Sequence, residues 1–308
     1  MSKTFKITVL GCTAATPTSL FHTTAQWLQF QNYHFLLDCA EGTQMQMRRM
    51  KLPMMKIDNI FISHLHGDHY LGLPGLLFTY HLLGREKTLN IYSPPGLKEI
   101  IEVQFKIANV HTRFKTVFHD ITKGEQLLFE NKFLTVDSIE MKHSIDCYGF
   151  LFKEKELERN IKKESIKKYG ISIDKMQDIK HGADFIDSNG KIIPNNTITK
   201  SPPPPRSYAF CSDTLYTETF IKQISNVDLL YHEATFLEDK ADIAKEKTHT
   251  TAMEAARIAK KAKAGKLLIG HYSARYDDIK DFQKEAQTIF KNTVVAEEGM
   301  VMEIESKN

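Results

Sequence analysis

The chain has 308 residues, 42% hydrophobic and 26% charged, the balance of a soluble globular protein that can bury a sizeable core. A formal net charge of +3 excludes a wholesale polybasic nucleic-acid binder, so any basic surface must be local. No apolar run approaches membrane-spanning length, Met1 to Lys6 carries no apolar signal core, and Cys12, Cys39, Cys147 and Cys211 are too scattered for a thiolate metal site or a disulfide framework. A cytoplasmic protein without membrane association is expected.

Phe5 to Cys12 reads as a first strand, followed by a Thr- and Ser-rich loop around Pro17. Ala25 to Phe30 and His34 to Asp38 alternate as a hairpin, and Asp38 to Gln44 then opens a helix that runs to about Met50. Asn59 to Ser63 is a short run of β-branched and aromatic residues, the pattern of a buried strand. It leads into Ser63-His-Leu-His-Gly-Asp-His69 on a tight loop, and Pro74 is tolerable in the first turn of the helix that follows.

Imidazole nitrogen and carboxylate oxygen are the donors that zinc and similar divalent ions take, so His64, His66, Asp68 and His69 read as a metal site. Four ligands so close in sequence are hard to wrap round one ion. Alternate residues, His64 with His66 and Asp68 with His69, could instead serve two ions side by side.

Leu89 to Ser93 and Gly96 to Asn109 form a strand-and-helix unit, and consecutive strands follow from Phe114 to Phe152, with His143 at the end of one of them. Between Lys153 and about Lys200 large apolar residues thin out and charges multiply, among them Lys162, Lys163, Lys167 and Lys168. Such a stretch is expected to form no core element and to project from the fold as an insertion, ending in Pro202-Pro-Pro-Pro205. Beyond it, Tyr208 to Asp213, Asp228 to Tyr231 and Lys266 to Gly270 read as strands. A helix from about Thr251 to Lys263 is expected, capped by Thr248 or Thr250, then a last helix, Asp277 to Phe290, and a last strand, Val294 to Ile304.

Strand after strand ends in a metal-capable or acid-base residue: His64, His143, Asp213, His232 with Glu233, and His271. Alternating strands and helices imply a layered α/β protein whose ligands gather at one rim of its sheets.

These residues resemble the metallo-β-lactamase superfamily. Within it, Asp38-Cys-Ala-Glu-Gly-Thr-Gln44, Ser63-His-Leu-His-Gly-Asp-His69 with Gly72-Leu-Pro-Gly-Leu76, His232-Glu-Ala-Thr235 and His271-Tyr-Ser-Ala-Arg-Tyr276, in this order, resemble the ribonuclease Z family of tRNA 3′-processing endoribonucleases. The resemblance implies one αββα sandwich spanning residues 1–308, two mixed sheets with helices outside, and a tRNA-binding arm inserted at 153–200. It implies two zinc ions per chain: His64, His66 and His143 on one, Asp68, His69 and His271 on the other, and Asp213 bridging. It further implies Asp68 as general base and His249 as general acid held by Glu233. A homodimer and precursor tRNA as substrate complete the picture.

Two places depart from the family pattern. The Pro-x-Lys-x-Arg loop of many relatives is represented here by Pro17-Thr-Ser-Leu-Phe21, and the insertion has Ile171-Ser-Ile-Asp174 about where a Gly-Pro element is expected. Another metallo-β-lactamase-fold phosphodiester or thioester hydrolase, and a non-catalytic RNA-binding subunit, are the competing functions. A flavin-linked di-iron protein is disfavoured by His66 and by the lack of room for a flavin domain.

Overall fold

The computed structural model describes residues 4–307, so Met1 to Lys3 of the N-terminal reading and Asn308 lie outside the described residues. Six strands in chain order, β1 (Phe5–Gly11), β2 (Ala25–Phe30), β3 (Tyr33–Leu37), β4 (Ile57–Phe61), β5 (Leu89–Ser93) and β6 (Thr116–Asp120), line up side by side, and Val301–Glu303 pairs antiparallel with β1 to complete a first sheet. A second sheet holds β7 (Leu127–Glu130), β8 (Leu134–Met141) and β9 (Cys147–Glu154), then Ser207–Cys211, Leu229–Glu233, Lys266–Gly270 and Thr293–Val295. Both sheets are mixed.

Period-two alternation decides which side chains meet. In β3, Phe35 and Leu37 enter the layer between the sheets, while Leu36 joins Trp27, Ile60 and Ile62 on the outer face. Phe35 meets Phe152 at 5.4 Å and Phe61 meets Phe150 at 5.2 Å across the layer. Each fully buried ring of this kind is worth about 1.5–3 kcal/mol by removal from water.

The outer face of the first sheet is covered by α1 (Thr43–Arg49), through Met47, by α3 (Gly72–Leu82), through Leu73, Leu76, Leu77 and Tyr80, and by α4 (Leu97–Ile107), through Leu97 and Ile101. Pro74 does sit in the first turn of α3. Helices Ala252–Lys261 and Lys280–Gln287 pack their Ala255, Ala256, Ala259, Phe282 and Ala286 into the core of the second sheet. The result is the expected αββα sandwich. No helix among the described residues is long and apolar enough to cross a membrane.

Three local expectations change. The helix that starts at Ala252 is capped by Thr251, which forms a reciprocal capping box with Glu254, rather than by Thr248 or Thr250. The expected last strand is two: Thr293–Val295 belongs to the second sheet and Val301–Glu303 to the first, with Glu297-Glu298-Gly299 turning the chain between them. Asp68 and His69 lie in a single helical turn, α2 (Gly67–Tyr70), rather than on irregular loop.

The chain divides into two compact units, residues 4–153 with Arg206–Glu305, and Glu154–Pro205 with 306–307. The smaller unit does have a core, contrary to its composition. Ile171, Ile179, Phe185, Ile193 and Ile198 are buried together, flanked by Ile161, Tyr169 and Met176. Its charged residues dilute the apolar ones along the chain, but helices Lys163–Tyr169 and Ile173–Lys180 and the paired strands Phe185–Ile186 and Ile192–Ile193 bring them together. Buried Asn195 donates to the carbonyls of Ile179 and Ala183, both at 2.7 Å, and accepts from the Thr199 hydroxyl at 2.9 Å. Lys162 is engaged inside the unit, donating to the Thr197 carbonyl at 2.7 Å.

Candidate metal centre

The strand ends deliver their donors to one rim of the larger unit. The segment after β4 brings His64 and His66, α2 brings Asp68 and His69, and the segment after β8 brings His143. Asp213 follows Ser207–Cys211, and His271 follows Lys266–Gly270. One set of donor atoms, from His64, His66, His143 and Asp213, lies within 4.8 Å of one another; so does a second, from Asp68, His69 and His271. His66 Nδ1 stands 3.0 Å from His64 Nε2 and 3.2 Å from His143 Nε2, and the Nε2 atoms of His69 and His271 are 3.3 Å apart.

The far side of each ring explains why these nitrogens converge. His69 Nδ1 donates to the Asp38 carboxylate at 2.8 Å, and Asp38 is itself fixed by the Ser63 amide at 2.7 Å and the Ser63 hydroxyl at 3.0 Å. His143 Nδ1 donates to the Thr248 carbonyl at 3.0 Å. Since the Thr235 hydroxyl donates to Glu233 at 2.8 Å, it accepts from His271 Nδ1, also at 2.8 Å. By the same logic the Ser63 hydroxyl, which donates to Asp38, accepts from His64 Nδ1 at 3.0 Å. In these four rings, those of His64, His69, His143 and His271, the proton resides on Nδ1, so the Nε2 lone pair faces the rim.

Asp213 sits between the two sets, its Oδ2 3.6 Å from His64 Nε2 and its Oδ1 3.5 and 3.3 Å from the Nε2 atoms of His69 and His271. Oδ1 is buried and accepts no hydrogen bond. A buried carboxylate oxygen faced by imidazole lone pairs suits a cation, and the mixed nitrogen and oxygen donors suit zinc-like ions. The seven residues therefore fit a pair of metal ions.

Four of the ten non-glycine residues with positive φ among the described residues lie near this place. Ala15, Asp38, Thr248 and His271 all take positive φ, between 55° and 63°, a conformation that costs a non-glycine residue on the order of 1–3 kcal/mol. Each of them places a donor or acceptor at the rim or behind one of its rings.

Ribonuclease Z of Bacteroides fragilis is 41% identical over 301 residues, covering 97% of this chain and 99% of that one. The chain belongs to the ribonuclease Z family. Ribonuclease Z of Parabacteroides distasonis is 44% identical at 97% and 99% coverage. Among solved structures, the short form of human tRNase Z superposes with a TM-score of 0.70 at 26% identity, covering 96% of this chain and 98% of that one. The metallo-β-lactamase fold protein YhfI of Bacillus subtilis, at 23% identity and 0.70 over 98% of this chain and all of that one, shares the fold. The family model of anti-Pycsar protein Apyc1 matches residues 5–157, a stretch that ends before Asp213, Glu233, His249 and His271.

The His-Glu-Ala-Thr segment of this ribonuclease Z family member sets a carboxylate–imidazole pair beside the two donor sets. Glu233 is fully buried and accepts five hydrogen bonds: the amides of Thr214, Thr235 and Thr250, the Thr235 hydroxyl, and His249 Nδ1 at 3.1 Å. Burial alone would lower the His249 imidazole, but the Glu233 carboxylate outweighs it and raises the group to about 9.

His232 takes no part. Its neighbour in the pleat points the other way, so while Glu233 reaches the rim, His232 bonds the Glu233 carbonyl at 2.7 Å and lies beside Phe220. The sequence reading passed over the supporting roles of Asp38, Ser63, Thr235 and Thr248. Only Asp38 had a local signal, a carboxylate ending an apolar strand. A cavity of ≈ 820 Å³ opens over the rim, bordered by Ala15, Pro17 and Leu71 from one half of the sandwich and by Phe236, Lys247 and Arg275 from the other.

Proposed function

We propose that the chain is a zinc-dependent endoribonuclease that removes the 3′ trailer from precursor tRNA, leaving a 3′-hydroxyl on the tRNA and a 5′-phosphate on the trailer. The observation that carries this is the joining, in one cleft, of seven convergent metal donors with the His249–Glu233 pair. Family membership supplies the RNA: the relatives bear the name ribonuclease Z and the human structure the name tRNase Z.

His64, His66 and His143 would hold one ion, and Asp68, His69 and His271 the other, with Asp213 between them. Such ions, when bound, would supply activation of a water and charge neutralisation at a phosphodiester. Asp68, as general base, orients that water and takes up its proton. His249 donates its proton to the departing 3′-oxygen of the tRNA, and Glu233 keeps the imidazole aimed and charged until it does. The Nδ1 contacts of Asp38, Ser63, Thr235 and Thr248 fix the rings so that little reorganisation is needed during the reaction.

Four buried free cysteines suit the reducing cytoplasm, where we place the protein as a homodimer. Incubating it with one precursor tRNA, with and without a chelator, and mapping the cut tests the proposal. Cleavage after the discriminator nucleotide, abolished by the chelator, is expected. Chelator-insensitive cleavage, or none, would refute it.

Unit 154–205 we propose as the tRNA-gripping element, on the strength of its lysines. With Lys162 occupied, Lys163, Lys167 and Lys168 on helix Lys163–Tyr169 are the candidates for phosphate contact. Replacing these three by glutamine should weaken precursor binding and flatten its dependence on log salt by roughly 2–3 units, close to one per lost contact. Hydrolysis of a nitrophenyl phosphodiester should be unaffected. An unchanged salt slope would mean that tRNA is held elsewhere.

A further inference from the structure

Asp68 owes its position partly to a group that no side-chain pattern reveals. The backbone amide of Ala15 donates to Asp68 Oδ2 at 2.6 Å, from a residue in left-handed conformation. A backbone donor is placed only as well as the loop that carries it, here the ten residues from Thr13 to His22.

The base of that loop is gripped from three directions. The His22 carbonyl accepts from the amides of Cys12 and Thr13, at 2.9 and 3.1 Å, and from the Thr13 hydroxyl at 3.0 Å. The His22 amide and its Nδ1 both reach Glu298, the ring nitrogen at 3.0 Å. The other Glu298 oxygen accepts from Gln46 Nε2, which also bonds the Leu10 carbonyl at 3.1 Å. Glu298 itself is placed by its neighbours, since the Gly299 amide bonds the Val9 carbonyl at 2.9 Å.

The motif Asp38 to Gln44 takes part as well. Gly42 has φ +81°, and a Cβ there would lie 2.3 Å from the His22 ring, so only glycine lets the imidazole lie against this turn. Gly42 and Gln46 thus close the fourth side of a clasp whose centre is the Glu298 carboxylate, part-buried with its side chain 15% exposed.

We propose that Glu298 is a positioning residue for the metal centre: through His22 it sets the Thr13 to His22 loop, and through the Ala15 amide that loop holds Asp68 in place to bind metal. The inference rests on the two-ion reading above. Removing the carboxylate leaves the His22 amide, His22 Nδ1 and Gln46 Nε2 without their shared acceptor, and the loop base loosens.

The test uses the full-length chain as Glu298→Ala, His22→Ala, the double variant and Glu298→Gln, beside Phe5→Leu, a core change in the same first strand that lowers stability without touching the clasp. Zinc affinity by chelator competition, kcat and KM on a nitrophenyl phosphodiester and on precursor tRNA, and hydrogen exchange of the Ala15 amide in the zinc-free protein are measured. Glu298→Ala and His22→Ala should each lower zinc affinity and kcat about 10–100-fold with KM little changed, the usual effect of losing a ligand's outer support. The Ala15 amide should exchange faster.

The double variant should be little worse than Glu298→Ala alone, because the ring contact that His22→Ala removes is already lost when Glu298 goes. Glu298→Gln keeps an acceptor for His22 and should fall between. Should Glu298→Ala lose thermal stability yet match Phe5→Leu in zinc affinity, kcat and Ala15 exchange, Glu298 is structural only and the proposal is overturned. Weakened zinc binding in a protein that, as wild type, leaves precursor tRNA uncut would sustain the positioning role while refuting the RNA substrate.

Discussion

Asp68→Ala protein should cleave precursor tRNA at least 10²–10⁴-fold more slowly, roughly the range for loss of a general base, while its affinity for the tRNA changes little. In the proposed mechanism the residue serves twice, as base and as a donor in the set with His69 and His271, so one substitution removes both. The tRNA-contacting lysines proposed above lie on unit 154–205, which contributes none of the donors, so binding should survive. Single-turnover cleavage and filter binding on the same preparation measure the two effects. Equal losses in both would assign Asp68 to folding.

His249→Ala should slow precursor cleavage by roughly 10²–10⁴-fold, the range for a positioned general acid. A nitrophenolate leaves without needing a proton, so hydrolysis of a nitrophenyl phosphodiester should be reduced much less. The difference follows from what Glu233 does to the imidazole: the two are 3.1 Å apart, and the carboxylate favours the protonated ring. Glu233→Gln should shift the same balance in the same direction, since the amide still orients the ring but no longer stabilises its charge. If His249→Ala impaired both substrates alike, its place would be among the ligands, which its proximity to Asp213 and His271 would allow.

The residues that converge at the rim were legible in the sequence because metal-capable side chains at strand ends announce themselves. His64 to His69 place four donors behind an apolar run, and His143, Asp213 and His271 each follow a strand pattern of their own. The supporting layer was not legible. Ser63 and Thr235 are ordinary polar residues until the rim turns their hydroxyls toward imidazoles, and the Thr248 carbonyl and Ala15 amide have no side-chain signature at all.

The misreadings share a cause, which is that local pattern was left to decide what tertiary contact decides. His232 and Glu233 are equally promising as letters, and the pleat separates them. Thr248, Thr250 and Thr251 all qualify as caps, and Thr251 wins because it bridges to Phe236 and shares a capping box with Glu254. The isoleucines of unit 154–205 are too widely spaced to suggest a core, yet two short helices and a paired strand gather them.

The central claim is that these donors form a two-ion centre that cuts RNA, and one titration tests it most directly. Zinc is added back to chelator-stripped protein while cleavage of a single precursor tRNA is followed. Cleavage should start near zero and reach its plateau close to two equivalents per chain, because Asp213 spans two donor sets that act together. A plateau at one equivalent, or full cleavage by the stripped protein, would contradict the account.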